Sequence, residues 1–182
     1  MGGLCVVVDD VGAGYKATKH LLENGRKKIA LITTPNHVNV GALRRHGYEK
    51  ALIEEYIKSD EYLIVEVDEN KEIKPQIEKV FEQDIDGVFA VNEIYAANAM
   101  RIAKEKGFKV PEDLSIIGFT DGLISEYSSP SITTVAQHGF TMGKQAVELL
   151  IERIEKDSEI YKPRKIVISS DLKLRESTKP SS

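Results

Sequence analysis

Short apolar runs alternate with stretches of helical periodicity along the first two thirds of the chain, and this alternation limits the possible folds more than any other feature. Each run contains few polar residues, which is typical of strands in a parallel sheet covered by helices on both faces. The runs predicted as strands are Leu4–Val8, Ile29–Thr33, Tyr62–Val67, Val88–Val91 and Ser115–Phe119. The sequence therefore predicts an α/β fold with a doubly wound parallel sheet and right-handed crossovers.

The segments between these strands carry helix signals. Ala17, Leu21 and Leu22 recur at helical spacing, and Gly25 suits the left-handed residue that ends a helix. Further helices are predicted over residues 42–57, along the apolar stripe of Ile73, Ile77, Val80 and Phe81, and from Glu93 to Lys106.

After Asp121 the alternation stops. The later segments are a polar stretch without periodicity (123–130), a short extended connector (131–136), a long helix around Met142–Leu150, two strands (Ile166–Ser169 and Leu172–Leu174) and a frayed tail (177–182). The first strand has no helix before it, and the last helix has no sheet of its own among the middle elements. We therefore expect the two ends of the chain to build a second, incomplete layer together.

Composition excludes some classes of function. The chain has 182 residues, 41% hydrophobic and 30% charged, with a net charge of −4, which gives no electrostatic footprint for binding nucleic acid by these residues alone. Cys5 lies in an apolar run and is expected to be a small buried side chain in a reducing compartment. No apolar stretch approaches the ~20 residues of a membrane helix. The N-terminus does not have the pattern of a signal peptide, so the cytoplasm is the expected location.

Residues 12–17 (GAGYKA) match the outline of a dinucleotide-binding turn, G-x-G-x-x-A. The match is weak because Asp9 and Asp10 precede the glycines and would repel a pyrophosphate, and because no acidic residue ends the second strand. These glycines are better explained as turn-forming residues at the start of a helix.

Asp9, Asp10 and Asp68 follow predicted strands and could hold Mg²⁺ for phosphoryl transfer. That chemistry also needs a lysine near the end of a later strand, and residues 118–121 offer none. A magnesium-dependent phosphoryl-transfer or nucleotide-binding domain therefore stays a minor alternative. His20 and His138 are most simply surface or packing residues, and no metal-binding or nucleophile motif is present. We predict no catalytic residue, no metal, no cofactor and no enzyme activity.

Polar side chains follow every predicted strand. They are Asp9 and Asp10, residues 36–44 with Arg44, Asp68 and Glu69, Asn92 and Glu93, and Thr120 and Asp121. Each alone is most simply a helix cap or turn residue. Because the C-terminal ends of parallel strands share one edge of a sheet, together they could line a cleft. Carboxylates, amides and an arginine suit a polyhydroxylated ligand.

Four segments, in order and spacing, closely resemble the LacI/GalR family of bacterial transcriptional regulators. They are VPEDLSIIGF (110–119), LLENGRKKIA (21–30), PSITTV (130–135) with the helix after it, and LRES (174–177). The resemblance covers nearly the whole chain. It implies a periplasmic-binding-protein-like type I core, with one complete lobe plus part of a second. The chain is then expected to be a fragment without the helix-turn-helix and most of the N-terminal lobe.

The resemblance also implies a division of the chain. Residues 1–26 would end the N-terminal lobe, 27–135 would form the C-terminal lobe, 136–169 would return to the first lobe, and 170–182 would be the terminal strand and tail. Operator DNA would be bound only through the missing N-terminal domain, without membrane contact.

The family likeness implies the ligand-sensing core of a repressor that binds a sugar or sugar derivative between two lobes. It places effector contacts at Arg44 and Asn92, a cleft-lining loop at Asp68-Glu69, and Asp9 and Asp10 on the first-lobe side of the cleft. The family usually has Asp where this chain has Thr120. Either Asp121 takes part, or the ligand differs from a typical sugar. A periplasmic-type sugar receptor of the same fold is the alternative function.

A homodimer is also implied by the resemblance. Candidate contacts are the helix with Tyr95, Ala99 and Met100 and the loop with Tyr127. Packing in the core of one subunit explains Ala99 and Met100 equally well.

Overall fold

The computed structural model describes residues 4–155 and 164–178, and its strands form two separate sheets. In chain order the strands are β1 (Cys5–Val8), β2 (Ile29–Thr33), β3 (Ile64–Glu66), β4 (Gly87–Ala90), β5 (Ser115–Phe119), β6 (Thr133–Ala136), β7 (Lys165–Ile168) and β8 (Asp171–Lys173). The helices are α1 (Asp10–Glu23), α2 (Asn39–Glu54), α3 (Ile73–Glu78), α4 (Glu93–Glu105), α5 (Leu123–Tyr127) and α6 (Gly139–Glu155), with two 3-10 helices at Glu61–Leu63 and Lys79–Glu82. Within the described residues, no helix is long and apolar enough to cross a membrane.

The larger sheet has six strands in the order β3-β2-β4-β5-β6-β8. All neighbouring strands run parallel except β8, which is antiparallel to β6. Every residue of β2, β4, β5 and β6 is buried, as expected for strands covered by helices on both faces. The predicted α/β fold with a mostly parallel sheet is therefore confirmed.

Two segments after Asp121 have more structure than the sequence predicts. Residues 123–127 form α5, and residues 133–136 form β6 inside the larger sheet. In β6, Thr133 pairs with Ile117 on one side and Thr134 pairs with Lys173 on the other. The connector prediction is wrong because β8, which comes much later in the chain, covers the second edge of this segment.

The C-terminal tail is also more ordered than predicted. Ser177 and Thr178 are buried. The Ser177 hydroxyl donates to the Ile116 carbonyl at 2.5 Å and accepts from the Thr133 amide at 2.8 Å. The prediction of a frayed tail is wrong for these two residues because they complete hydrogen bonds inside the fold. The predicted tail beyond Thr178 lies outside the described residues.

The smaller sheet joins the two ends of the chain. Strand β1 pairs in parallel with β7, from Cys5 opposite Lys165 to Val8 opposite Ile168, and α6 packs on β1. This confirms the expectation that the chain ends build a second layer together. Only Leu149 of α6 is buried. Cys5 is exposed, so the prediction of a buried thiol is wrong; among the described residues its strand pairs only with β7.

Glycines let α1 and α2 pack with their backbones in contact. A Cβ added to Gly14 would lie 2.3 Å from the Arg44 carbonyl oxygen, and one on Gly47 would lie 2.2 Å from the Val11 carbonyl oxygen. Gly14 therefore serves the packing of α1 on α2, and the turn-forming explanation of this residue is wrong. The contact places α1 against the larger sheet, where Ala17 and Leu21 join the main core.

His20 packs inside the fold, as one of its two sequence interpretations expected. It is 6% exposed, and its Nε2 lies 3.3 Å from Thr178 Oγ1 and 3.1 Å from Asn24 Nδ2. Burial lowers the pKa of His20 because the charged imidazolium is poorly solvated there.

We expect Gly14→Ala to reduce the free energy of unfolding by roughly 1–3 kcal/mol, because the added methyl group overlaps the Arg44 backbone. The matched control is Gly143→Ala in α6, where a Cβ meets nothing within 4 Å. There the better helix propensity of alanine should stabilise by about 0.5–1 kcal/mol. Urea titration of both variants measures the difference, and a Gly14→Ala protein as stable as the control would contradict the packing described here.

The free energy of unfolding should depend on pH because of His20. Because its folded pKa lies below the ordinary value, its contribution to stability is complete above the unfolded pKa of ~6.5 and is lost as the pH falls through that value toward the folded pKa. The slope is at most about 1.4 kcal/mol per pH unit. His20→Gln should flatten this part of the stability curve below about pH 6.5. Parallel curves for wild type and His20→Gln would exclude the effect.

Candidate functional site

Arg44 lies at the C-terminal edge of the larger sheet and contacts residues of three other segments of the chain. It projects from α2, its Nε donates to Asp10 Oδ1 of α1 at 2.8 Å, and its Nη1 donates to the Val91 carbonyl after β4 at 2.6 Å. Its guanidinium carbon lies 3.4 Å from the centre of the Phe119 ring at the end of β5. Ligands in open α/β sheets bind at this edge, so the geometry places Arg44 where a binding group is needed.

The Arg44–Asp10 ion pair is buried. The two residues are 7% and 9% exposed. Burial lowers the pKa of Arg44, and the neighbouring Asp10 carboxylate opposes that shift. In the described part of the chain, Nη2 of Arg44 makes no hydrogen bond. This nitrogen is therefore free to donate to a ligand.

Asn92 and Glu69 are linked through Tyr95. The Asn92 Oδ1 caps α4 by accepting from the Tyr95 amide at 2.8 Å, and the Tyr95 hydroxyl donates to Glu69 Oε1 at 2.8 Å. Burial and the hydrogen bond to Glu69 raise the pKa of Tyr95, which keeps its hydroxyl protonated as a donor. Asn92 therefore serves as a helix cap, and its amide NH₂ group remains as a possible ligand donor.

Thr120 and Asp121 have different partners. Thr120 has a left-handed backbone (φ 80°), and its hydroxyl accepts from Gln137 Nε2 at 2.7 Å. Asp121 accepts hydrogen bonds from Lys173 Nζ at 2.9 Å and from Arg175. Partial burial alone would raise the pKa of Asp121, but these two cations hold it below its usual range. The structure thus ties Asp121 to the terminal segment through charge.

Asp9 caps α1, because its Oδ1 accepts from the Gly12 amide at 2.9 Å. Asp68 Oδ1 accepts from the backbone and side-chain nitrogens of Asn70 at 3.0 Å, and its Oδ2 lies 3.2 Å from Lys71 Nζ. The hydrogen bond from the Asn70 amide, together with Lys71, lowers the pKa of Asp68. Asp9, Asp10 and Asp68 therefore have separate partners. The described residues contain no group of three or more His, Cys, Asp or Glu side chains arranged to hold a metal.

A cavity of about 340 Å³ lies beside this edge and is called the outer pocket. It is lined by residues of the loops after β2 and β3, namely Thr34, Pro35, His37, Val38, Val67, Asp68, Glu69 and Asn70. Glu69 belongs to its wall and accepts a hydrogen bond from the Tyr95 hydroxyl.

Sequence reasoning missed three side chains of this region: Gln137, Lys173 and Arg175. Gln137 directly follows β6. If residues 131–136 had been predicted as a strand, Gln137 would have counted among the polar residues that follow strands. Lys173 and Arg175 reach Asp121 from 52 and 54 residues away, and no local pattern signals such a contact.

The residues predicted to form a dimer contact differ in their exposure to solvent. Tyr95, Ala99 and Met100 are 0%, 0% and 4% exposed, so they pack in the core and the dimer prediction is wrong for these three. Tyr127 is 79% exposed. It shares the surface of α4 and α5 with three further exposed apolar residues, Ile94, Leu123 and Ile124.

We expect Arg44→Met to reduce the free energy of unfolding by about 3–5 kcal/mol, because it leaves the Asp10 carboxylate buried without a cation. Arg101→Met is the matched control, since its ion pair with Glu105 is exposed to solvent on α4 and its loss should change stability little. Adding Asp10→Asn to Arg44→Met should restore part of the loss. Equal urea midpoints for the two single variants would show that the buried pair does not stabilise the fold.

A family model described as a periplasmic binding protein-like domain matches residues 18–178. Among curated proteins, the HTH-type transcriptional regulator CelR of Thermobifida fusca is 31% identical over 177 residues, which is 94% of this chain and 51% of that protein. The HTH-type transcriptional repressor PurR of Haemophilus influenzae (strain PittEE) is 35% identical over 179 residues, 95% of this chain and 53% of that protein. The chain thus spans about half the length of the curated relatives it matches.

Among solved structures, transcriptional regulators also superpose on this chain. A complex of the transcriptional regulator CelR with cellobiose superposes with a TM-score of 0.89 at 31% identity, over 97% of this chain and 54% of that one. A LacI family transcriptional regulator from Enterococcus faecium with bound ribose superposes with a TM-score of 0.87 at 31% identity, over 97% of this chain and 66% of that one.

Proposed function

Since the chain belongs to the periplasmic binding protein-like domain family, in the group of LacI-type transcriptional regulators, we propose that it is the ligand-sensing core of a bacterial DNA-binding repressor. The proposed effector is a small polar molecule, a sugar or sugar derivative, bound in a cleft between two lobes. The observation that carries this proposal is Arg44, a buried guanidinium with a free Nη2 at the C-terminal edge of the sheet.

The two sheets support a division into lobes. The larger lobe contains the six-stranded sheet, and β1, β7 and α6 belong to the smaller one. The sequence-based division gave residues 1–26 to the first lobe. However, α1 packs on α2 and contributes Ala17 and Leu21 to the core of the larger sheet, so we place the boundary between β1 and α1.

Three chain segments cross between the lobes in this division: Asp9, Gln137-His138 and Ser169-Ser170. They lie side by side, because the Asp9 amide donates to the Ile168 carbonyl at 3.1 Å and His138 Nε2 lies 2.8 Å from Asp171 Oδ2. A ligand that contacts both lobes would close them about these crossings. To act as a switch, it must bind the open and closed arrangements with different affinity.

The curated relatives CelR and PurR are transcriptional regulators, which supports a binding function without catalysis. Operator DNA would be read by a domain outside this chain, in the cytoplasm where the DNA lies. The exposed apolar surface of Ile94, Leu123, Ile124 and Tyr127 supports a homodimer, through which lobe closure would reach two DNA-binding domains.

The ligand proposal is tested by thermal shift of the full-length protein against sugars, sugar phosphates and purines. A sugar should raise the melting temperature, since a ligand present at 100 times its Kd adds about 2.7 kcal/mol of stability. Asn92→Asp should reduce the response at least tenfold in apparent affinity (about 1.4 kcal/mol), because aspartate keeps the helix cap but loses the amide donor.

Asn98→Asp, six residues further along α4, is the matched control and should leave the ligand response unchanged. Stabilisation by purines without any sugar response would contradict the proposed effector class. A sugar response that is identical in wild type and Asn92→Asp would contradict the site.

A further inference from the structure

Strand β3 leaves one edge of the larger sheet open. It stands at the end of the strand order and pairs only with β2 among the described residues. The Val67 amide donates to the Thr33 carbonyl of β2 at 2.8 Å, so the alternation of backbone groups along the strand turns Ile64 and Glu66 away from β2. The Ile64 amide is bonded to the Glu61 carbonyl. The Ile64 carbonyl and both backbone groups of Glu66 remain for another strand.

The open edge lies in a groove of about 650 Å³, which is called the edge groove. Ile64, Val65 and Glu66 of β3 form one part of its lining. Other parts come from α3 and the 3-10 helix after it, including Gln76 and Val80. A groove beside an unpaired strand is the geometry in which an extended peptide adds to a sheet and places its side chains in neighbouring pockets. The edge groove therefore favours an extended segment of polypeptide.

The edge groove has a surplus of negative charge. Its lining contains Glu61, Glu66 and Glu82, but Lys79 as its one lysine. Arg45 pairs with Glu61 at 2.7 Å and with Glu66 at 3.5 Å, so two of these carboxylates share one guanidinium. Within residues 4–155 and 164–178, Glu82 has no cationic partner. Charge complementarity therefore selects a basic partner.

The same charge argues against two other occupants. A second copy paired edge to edge would bring Glu66 close to the glutamates of the first copy, and like charges that face each other across a strand pair are destabilising. Nucleic acid is an anion and would be repelled. Tyr62, which also lines the edge groove, is 80% exposed, and its ring offers a face for a lysine or arginine cation.

We propose that the edge groove docks an extended segment of a partner protein in which apolar and basic side chains alternate. The segment pairs with the outward backbone groups of Ile64 and Glu66, and its basic side chains lie against Glu61, Glu66 and Glu82. This inference goes beyond the ligand-sensing proposal and does not depend on it, because the lining of the edge groove contains none of the candidate effector residues.

The test measures fluorescence anisotropy of a labelled seven-residue peptide of alternating valine and lysine, titrated with the full-length protein. We expect saturable binding that weakens severalfold when the salt concentration rises from about 0.1 M to 1 M. A peptide with glutamate in place of lysine should not bind. A lysine peptide that is N-methylated at every second residue should bind roughly tenfold more weakly, because it lacks backbone donors for the edge.

Glu82→Lys reverses one charge of the edge groove at an exposed position of the 3-10 helix. It should weaken binding of the lysine peptide by about fivefold or more. Glu112→Lys is the matched control, since it changes the net charge equally at an exposed position in the loop before β5. It should change the affinity less than about twofold.

Two substitutions of Glu66 separate backbone pairing from charge. Glu66→Gln and Glu66→Pro both remove the carboxylate, but only proline removes the outward N–H. Proline is tolerated on an edge strand where the N–H faces solvent. We expect Glu66→Pro to bind the lysine peptide about three- to tenfold more weakly than Glu66→Gln. If Glu66→Pro does not fold, the N-methylated peptide still tests backbone pairing.

Each part of the proposal has a contrary outcome. Equal affinity for the lysine and glutamate peptides would overturn the basic partner, and equal affinity for the N-methylated peptide would overturn strand pairing. Absence of saturable binding, or equal effects of Glu82→Lys and Glu112→Lys, would show that the edge groove is not the docking site. A sedimentation mass that is lower for Glu66→Pro than for Glu66→Gln would identify a second copy as the occupant instead. Sugar binding is measured without peptide, so its outcome is separate.

Discussion

The buried Arg44 guanidinium is the interaction on which this edge of the fold depends. It joins α2 to Asp10 of α1, to the Val91 carbonyl after β4 and to the Phe119 ring of β5. A charge in such a place is tolerated only with close partners, and each partner comes from a different element. The same contacts fix the orientation of the guanidinium and leave Nη2 without a hydrogen-bond partner among the described residues, so one group both stabilises the fold and offers a donor to the ligand we propose.

The close approach of α1 and α2 is what allows this arrangement. Gly14 and Gly47 remove the side chains that would hold the helices apart, and the backbone of Arg44 itself lies against Gly14. The packing of the two helices and the position of the buried guanidinium are therefore coupled at Arg44. The same packing holds α1 against the larger sheet, and this is why we propose a boundary between the lobes at Asp9.

The local sequence pattern correctly predicted the strands that are buried by the helices next to them in the chain. The bounds of β2 and β5 match the predicted Ile29–Thr33 and Ser115–Phe119, since both are continuous apolar runs in the middle of a sheet. The incorrect predictions share one physical cause, because the structure of each of these segments depends on contacts with residues far away in the sequence. The strand β6 pairs with β8 as well as with β5, and Ser177 bonds to Ile116 of β5. Among the described residues, the strand of Cys5 pairs only with the distant β7.

The candidate site shows the same limit. Two arguments placed Arg44, Asn92 and Thr120 at one edge of the sheet: the position of polar residues after predicted strands, and the family resemblance. Neither argument could predict the hydrogen-bond partners of these residues. The pairing of Asp121 with Lys173 and Arg175, and the contact of Thr120 with Gln137, join segments that are remote in sequence. These contacts decide which groups remain free, and so the assignment of ligand-binding atoms required the structure.

The central claim is that Arg44 and Asn92 receive the ligand. An NMR titration with a bound sugar, observing the arginine side-chain Nε–H and asparagine amide resonances, tests it most directly. We expect the signals of Arg44 and Asn92 to shift together and saturate, while those of Arg101 and Asn98 on the exposed side of α4 stay in place. Saturating binding of the sugar without any change at Arg44 and Asn92 would contradict it.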